Sequence, residues 1–207
     1  MTDMKPLIAI DIDDVLFGFN ERFLAFHNRR YQTDFALHHI TSAAFHTVFG
    51  GTPDDDLRKI GEFQREAGSL EGKPVPLAIE VLRRLKVDHD LVIITARQSN
   101  IEQRTRSWLE RTFPQIFTDI HFANYWDQSR PRRSKGEICR DLGVQVIVDD
   151  QPKYIEDCLK VGVKGVLFGD FSWNQEVVDR PDVRRVKDWS EVEAAITEHK
   201  PYTNHNV

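Results

Sequence analysis

Three carboxylates follow one apolar run near the start of the sequence. Residues 7–10 (LIAI) are continuously apolar, which is typical of a strand buried on both faces of a parallel sheet, and Asp11, Asp13 and Asp14 come directly after them. Because alternate strand residues share a face, Asp11 and Asp13 can lie side by side, where their charges repel unless a cation or a proton intervenes. The pattern predicts a divalent-metal site at a strand end, with an ordinary polar turn as the alternative.

Two later apolar runs also end in polar residues. Residues 91–94 (LVII) precede Thr95 and Ala96, and residues 144–148 (VQVIV) precede Asp149 and Asp150. The carboxyl ends of parallel strands meet at one edge of a sheet, where ligands of open α/β folds bind. We therefore expect these polar groups to converge with the first carboxylates.

A lysine is expected to join this group. The capping-box pattern of residues 134–137 (SKGE) puts Lys135 in the first turn of a helix. Its amine, the Thr95 hydroxyl and the Ala96 amide suit the oxygens of a phosphoryl group, and the carboxylates suit Mg²⁺. With charge neutralised in this way, a carboxylate can attack phosphorus to form an aspartyl-phosphate, and Asp11 is the best candidate nucleophile.

The elements that must position these residues are strands alternating with helices. This alternation predicts an α/β fold with a doubly wound, Rossmann-like parallel sheet and right-handed crossovers. A helix lined by Leu77, Val81, Leu82 and Leu85 is expected before the second strand, and a last helix over about 189–199. The sequence predicts five strands, near residues 7–10, 91–94, 120–123, 144–148 and 163–168.

Residues 19–73 interrupt this alternation. Phe19, Phe23 and Phe26 recur at helical spacing and predict a helix over about 17–31. Thr52 followed by proline and three aspartates predicts the start of another helix, which ends near residue 67. We expect residues 1–18 and 74–207 to form the core domain and residues 19–73 a small helical insertion.

Composition narrows the class of protein. The chain has 207 residues, of which 40% are hydrophobic and 29% are charged, as in ordinary globular proteins. A net charge of −5 argues against binding a nucleic-acid polymer, and no stretch approaches the ~20 apolar residues of a membrane span. Cys139 and Cys158 are expected to be buried, reduced thiols in a cytoplasmic protein. The sequence leaves the oligomeric state open.

The order of these motifs resembles the haloacid dehalogenase (HAD) superfamily of phosphohydrolases. DxDxV, a strand ending in Thr, a Lys and a strand ending in DD occur in the superfamily's order over residues 5–16 and 75–170, and the insertion resembles its cap. The ITAR and IVDDQP segments are most similar to the 5′(3′)-deoxyribonucleotidase-like branch. Asp14 departs from that branch, which usually has Gly there. The resemblance implies a Mg²⁺-dependent phosphatase for a small phosphomonoester, such as a (deoxy)nucleoside monophosphate.

The same resemblance assigns roles to the carboxylates. It implies that Asp11 is the nucleophile and a metal ligand, and that Asp13 is the general acid/base and binds the metal through its carbonyl group. Asp150 is the expected direct ligand, whereas Asp149 is expected to contact the ligands rather than the metal, or to reach the metal through a bridging water.

The resemblance also assigns residues to the substrate. Three residues are expected to hold the phosphate: Thr95, Ala96 and Lys135. Phe19 matches an aromatic that stacks on the base, although its spacing with Phe23 equally fits a core position. Arg133 is a further candidate for the phosphate. For Arg97, substrate binding and bracing of the cap both remain open.

Two other functions are compatible with these residues. A phosphotransferase or mutase on the same scaffold would pass the phosphoryl group to an alcohol. A non-catalytic protein would only bind a phosphorylated ligand. The acid/base Asp13 argues against the second, because binding alone does not require it.

Overall fold

One parallel sheet of six strands organises the chain. The computed structural model describes residues 5–124 and 132–198. The strand order is β3-β2-β1-β4-β5-β6, with every pair parallel. The predicted α/β class is therefore confirmed. The strands are β1 (Leu7–Ile10), β2 (Asp90–Thr95), β3 (Asp119–Phe122), β4 (Val146–Asp149), β5 (Lys164–Phe168) and β6 (Val183–Val186).

Helices cover both faces of this sheet. Ile8 and Ile10 of β1 face one apolar cluster, and Ala9 faces another. The first cluster is shared with α4 (Ala78–Asp88), α5 (Glu102–Thr112) and α8 (Trp189–Glu198), and the second with α6 (Lys135–Leu142) and α7 (Pro152–Leu159). The alternation of faces along β1 thus gives the doubly wound arrangement.

A third apolar cluster lies in the helical insertion. The insertion contains α1 (Phe19–Tyr31), α2 (His46–Phe49) and α3 (Pro53–Arg65), with a 3-10 turn at Leu37–His39. Phe23 stands at its centre, with its ring centroid 4.9 Å from that of Phe45 and 5.7 Å from that of Phe63. Ile101 belongs to the same cluster but lies after β2, in a 3-10 turn at Ser99–Ile101. Apolar packing therefore joins the insertion to the core.

The structure corrects several sequence-based expectations. β6 was missed because its sequence, VRRV, buries only Val183 and Val186 and lacks a continuous apolar run. Leu77 does not line the buried face of α4; it precedes that helix with φ 66° and is half exposed. Helix α1 begins at Phe19, since residues 14–17 form a turn. None of the helices in the described ranges could span a membrane.

Candidate active site

Lys135 joins two of the sequence-predicted carboxylates beneath the carboxyl ends of β1 and β4. Its Nζ atom lies 2.7 Å from Asp11 Oδ1 and 2.6 Å from Asp149 Oδ2. The contact with Asp149 is a hydrogen bond, and the contact with Asp11 is a short ion pair. All three side chains are buried. The lysine therefore holds two strand ends together by charge.

The start of α6 explains how a lysine reaches this buried position. The predicted capping box is present, since the Glu137 amide donates to Ser134 Oγ and the Ser134 amide donates to Glu137 Oε2. Gly136 lets α6 approach α7 closely, because a Cβ atom there would lie 2.6 Å from the carbonyl oxygen of Asp157. Close helix packing thus directs Lys135 to the sheet edge.

Asp150 adds a third buried carboxylate. Asp11, Asp149 and Asp150 each offer an oxygen within 4.8 Å of the others. Asp150 Oδ2 accepts hydrogen bonds from Gln151 Nε2 at 2.7 Å and from Trp173 Nε1 at 2.8 Å. A set of carboxylate oxygens is the chemistry that a hard cation such as Mg²⁺ prefers, so the residues fit the expected ion.

Electrostatics favour a further cation beside Lys135. Burial raises the pKa of Asp11 from 3.8 to about 7 despite the opposing effect of Lys135. Burial and the neighbouring Asp149 raise the pKa of Asp150 well above its usual range. Burial alone would lower the pKa of Lys135, but Asp11 and Asp149 outweigh it and raise that pKa. One ammonium faces three carboxyls, so a divalent ion would relieve their repulsion.

Asp13 and Asp14 point to different partners. The Asp13 carboxylate pairs with Arg97, at 2.6 Å between Oδ1 and Nη2. Asp14 is buried and has φ 60°, a left-handed conformation that Asp tolerates better than most residues. Its Oδ1 accepts from the backbone amide of Asn20 at 3.0 Å, in the first turn of α1. Asp14 therefore ties the start of the insertion to the end of β1.

A cavity lies between this sheet edge and the insertion. Among the predicted site residues, it is lined by Asp11, Asp13, Phe19, Ala96, Arg97 and Asp150. Apolar residues of the insertion form much of the opposite wall, including Ile40, Phe45 and Ile60. Trp173 and Tyr154 of the core also reach the cavity. It combines charged groups at one end with apolar and aromatic groups elsewhere.

Thr95, Phe19 and Arg133 differ in how they lie relative to the cavity, because only Phe19 of the three lines it. Thr95 is buried at the end of β2, and its Oγ1 accepts from the Arg97 amide at 3.2 Å. Phe19 lines the cavity and also packs against Phe23 and Phe63, so both of its suggested environments are present. Arg133 is not among the residues that line the cavity; its guanidinium pairs with Asp141 at 2.5 Å.

Sequence reasoning missed Trp173 and Asn174. The Asn174 side chain donates to the carbonyl oxygens of Asp150 and Phe168, so it fastens the loop after β5 beneath Asp150. A usable signal was present: β5 is parallel to β4, so the loop after it had to emerge at the same sheet edge.

Comparisons with solved structures identify the class. A haloacid dehalogenase-like hydrolase from Streptococcus pneumoniae is 15% identical, with 95% of this chain and 100% of that chain covered and a TM-score of 0.63. YfnB from Bacillus subtilis, described as a "putative HAD-hydrolase" bound to magnesium, is 15% identical over 94% and 100% of the two chains, with a TM-score of 0.59. The protein has the HAD fold.

Sequence comparison identifies the family within that class. Residues 5–201 match the family described as 5′ nucleotidase, deoxy (pyrimidine), cytosolic type C protein (NT5C). The chain belongs to this family and is a HAD phosphohydrolase of the nucleotidase-like branch. A Bacillus cereus protein named "Putative nucleotidase" is 25% identical over 189 residues, which cover 89% of this chain and 94% of that relative.

Proposed function

We propose that this protein hydrolyses a (deoxy)nucleoside monophosphate in a Mg²⁺-dependent reaction that passes through an aspartyl-phosphate on Asp11. The observation that carries the proposal is the ion contact of Lys135 with Asp11, at 2.7 Å, beside the carboxylates of Asp149 and Asp150. Asp11 lines the cavity, so its carboxylate is accessible to a bound phosphate while the lysine lies next to it.

The three carboxylates would hold the metal in different ways, some directly and one through water, and the Asp13 carbonyl group would be a further ligand. Both Asp149 oxygens are already engaged, one by Lys135 and the other by the Gln151 amide at 2.9 Å. This supports Asp11 and Asp150 as direct ligands and Asp149 as a water-bridged one. When bound, Mg²⁺ neutralises the phosphoryl oxygens and so makes phosphorus more susceptible to attack by an anion.

The chain's own residues account for the two chemical steps. In the first, an oxygen of Asp11 bonds to phosphorus, the ester P–O bond breaks, and Asp13 gives its proton to the leaving alkoxide. In the second, water attacks the same phosphorus and returns a proton to Asp13, which frees phosphate and the Asp11 carboxylate. Thr95, the Ala96 amide and Lys135 would hold the oxygens that do not react.

The insertion supplies the other half of the binding site in this proposal. Residues 19–73 would act as a cap over the core formed by residues 1–18 and 74–207. The cavity wall contributed by Phe19, Phe45 and Trp173 suits a planar, partly apolar leaving group. The family description and the relative's name both support a nucleoside as that group. The word cytosolic in the family description likewise supports a cytoplasmic location.

A panel of phosphate esters, including 5′- and 3′-deoxynucleotides, tests the proposal with Mg²⁺ and with EDTA. We expect phosphate release from deoxynucleotides with Mg²⁺ alone, and its loss in Asp11→Asn, with the exposed Asp119→Asn as the matched control. Adding acceptor alcohols distinguishes a phosphotransferase, which would yield new phosphate esters. Turnover by folded Asp11→Asn, or no hydrolysis of any ester by the wild type, would overturn the proposal.

A further inference from the structure

Arg97 holds the Asp13 carboxylate through three contacts. Its Nε lies 3.2 Å from Asp13 Oδ1 and 3.1 Å from Oδ2, and its Nη2 lies 2.6 Å from Oδ1. The Arg97 side chain is only 3% exposed, whereas that of Asp13 is 29% exposed. The ion pair therefore presents mainly its carboxylate to the cavity.

Arg97 is itself fixed by the core. Its Nη1 donates to Thr105 Oγ1 on α5 at 3.1 Å, and its guanidinium carbon lies 5.2 Å from the centroid of the Phe17 ring. Its backbone amide donates to Thr95 Oγ1. The guanidinium is thus held by two neighbouring groups independently of Asp13.

This arrangement argues against both roles that the sequence left open for Arg97, substrate binding and bracing of the cap. All three guanidinium nitrogens are engaged by Asp13 and Thr105, so a substrate phosphate would have to displace one of these partners. Its side-chain partners, Thr105 and Phe17, lie outside residues 19–73, which argues against bracing of the cap. The role that its contacts support is therefore to hold the Asp13 carboxylate.

We propose that Arg97 is a positioning residue, which fixes the Asp13 carboxylate in the orientation needed to exchange a proton with the leaving group and with water. This rests on the proposed function, which gives Asp13 that task. A planar guanidinium suits it, because two of its nitrogens fix both the place and the plane of a carboxylate. Displacement of a reacting group by about 1 Å can cost about 100-fold in rate.

A double-mutant cycle on Arg97→Gln and Asp13→Asn tests the proposal. The substrates are p-nitrophenyl phosphate and phenyl phosphate, of which only the second has a poor leaving group that depends strongly on a proton. We expect Arg97→Gln to lower kcat/KM for phenyl phosphate by about 10- to 100-fold and for p-nitrophenyl phosphate much less. In the Asp13→Asn background, the same change should cost less than about threefold, because coupled residues are not additive.

Controls separate positioning from folding and from substrate binding. Arg106→Gln removes a guanidinium that pairs with Glu102 on α5 and should leave both rates unchanged. Arg97→Lys keeps the charge without the planar fork, should show a smaller selective loss, and replaces Arg97→Gln if that variant does not fold. Additive effects, equal losses for both esters with a raised KM, or wild-type rates in both Arg97 variants would overturn the proposal. If wild-type enzyme hydrolyses neither ester and no nucleotide, the proposed function fails instead.

Discussion

The indole N–H of Trp173 donates to Oδ2 of Asp150 at 2.8 Å. Trp173 also lines the cavity and packs against the apolar cluster of the insertion, so one side chain touches a candidate metal ligand, the cavity and the insertion. This contact places a candidate metal ligand beside an aromatic side chain that the sequence did not single out.

Replacing Trp173 should therefore weaken Mg²⁺ binding. Trp173→Phe keeps a ring but removes the donor that orients Asp150, and loss of such a partner typically costs about tenfold or more in metal affinity. Isothermal titration with Mg²⁺ in the absence of substrate measures the effect. Phe171→Leu is the matched control, because Phe171 stacks on Trp173 at 4.4 Å between ring centroids without touching Asp150 through a polar group. Equal Mg²⁺ affinity in wild type and Trp173→Phe would disprove this orienting role.

Asp11 should destabilise the metal-free protein at neutral and higher pH. Its pKa is raised from 3.8 to about 7 in the folded state. Between these two pH values the folded state holds more protons than the unfolded state, so the free energy of unfolding falls as pH rises and stays lower above them. In EDTA at pH 8, Asp11→Asn should be more stable by about 1–3 kcal/mol, and the difference should shrink toward pH 4.

Urea unfolding at the two pH values measures this difference. Adding Mg²⁺ at pH 8 should stabilise the wild type more than Asp11→Asn, because only the former retains the full ligand set. A variant that is less stable than wild type in EDTA at pH 8 would refute the electrostatic account of this carboxyl.

Asp14 should act through conformation and capping. Asp14→Asn keeps an acceptor for the Asn20 amide and tolerates φ 60°, so it should cost less than about 0.5 kcal/mol. Asp14→Ala loses both features and should cost about 2 kcal/mol, while Asp14→Gly loses only the acceptor and should lie between them. Urea unfolding ranks the three variants. A ranking with Ala as stable as Asn would show that neither feature matters.

Much of this molecule could be predicted because its signals are local. The apolar runs at residues 7–10 and 91–94 gave strands, and SKGE gave the helix start that carries Lys135. The sheet topology then follows from alternation of strands and helices, which is why polar strand ends could be expected to meet.

The parts that escaped prediction depend on tertiary contacts. Arg97 contacts Asp13 across 84 residues of sequence. Trp173 lies in the loop after β5, which has no periodic pattern, and contacts Asp150 across α7 and β5. Asp14 could be given no chemistry from sequence, because its role depends on the left-handed turn and on where α1 begins. β6 carries two arginines in four residues, so hydrophobic periodicity does not predict a buried strand there.

Chemical trapping of the covalent intermediate tests the central claim most directly. The enzyme is mixed with Mg²⁺ and a deoxynucleotide that it hydrolyses, and the reaction is quenched with borohydride. Borohydride reduces an aspartyl-phosphate to homoserine, which mass spectrometry of the digested protein detects. We predict homoserine at position 11 only when substrate and Mg²⁺ are both present, and none in Asp11→Asn. Homoserine at another aspartate, or none at all during the rapid first turnover of active enzyme, would contradict the assignment of Asp11 as the nucleophile.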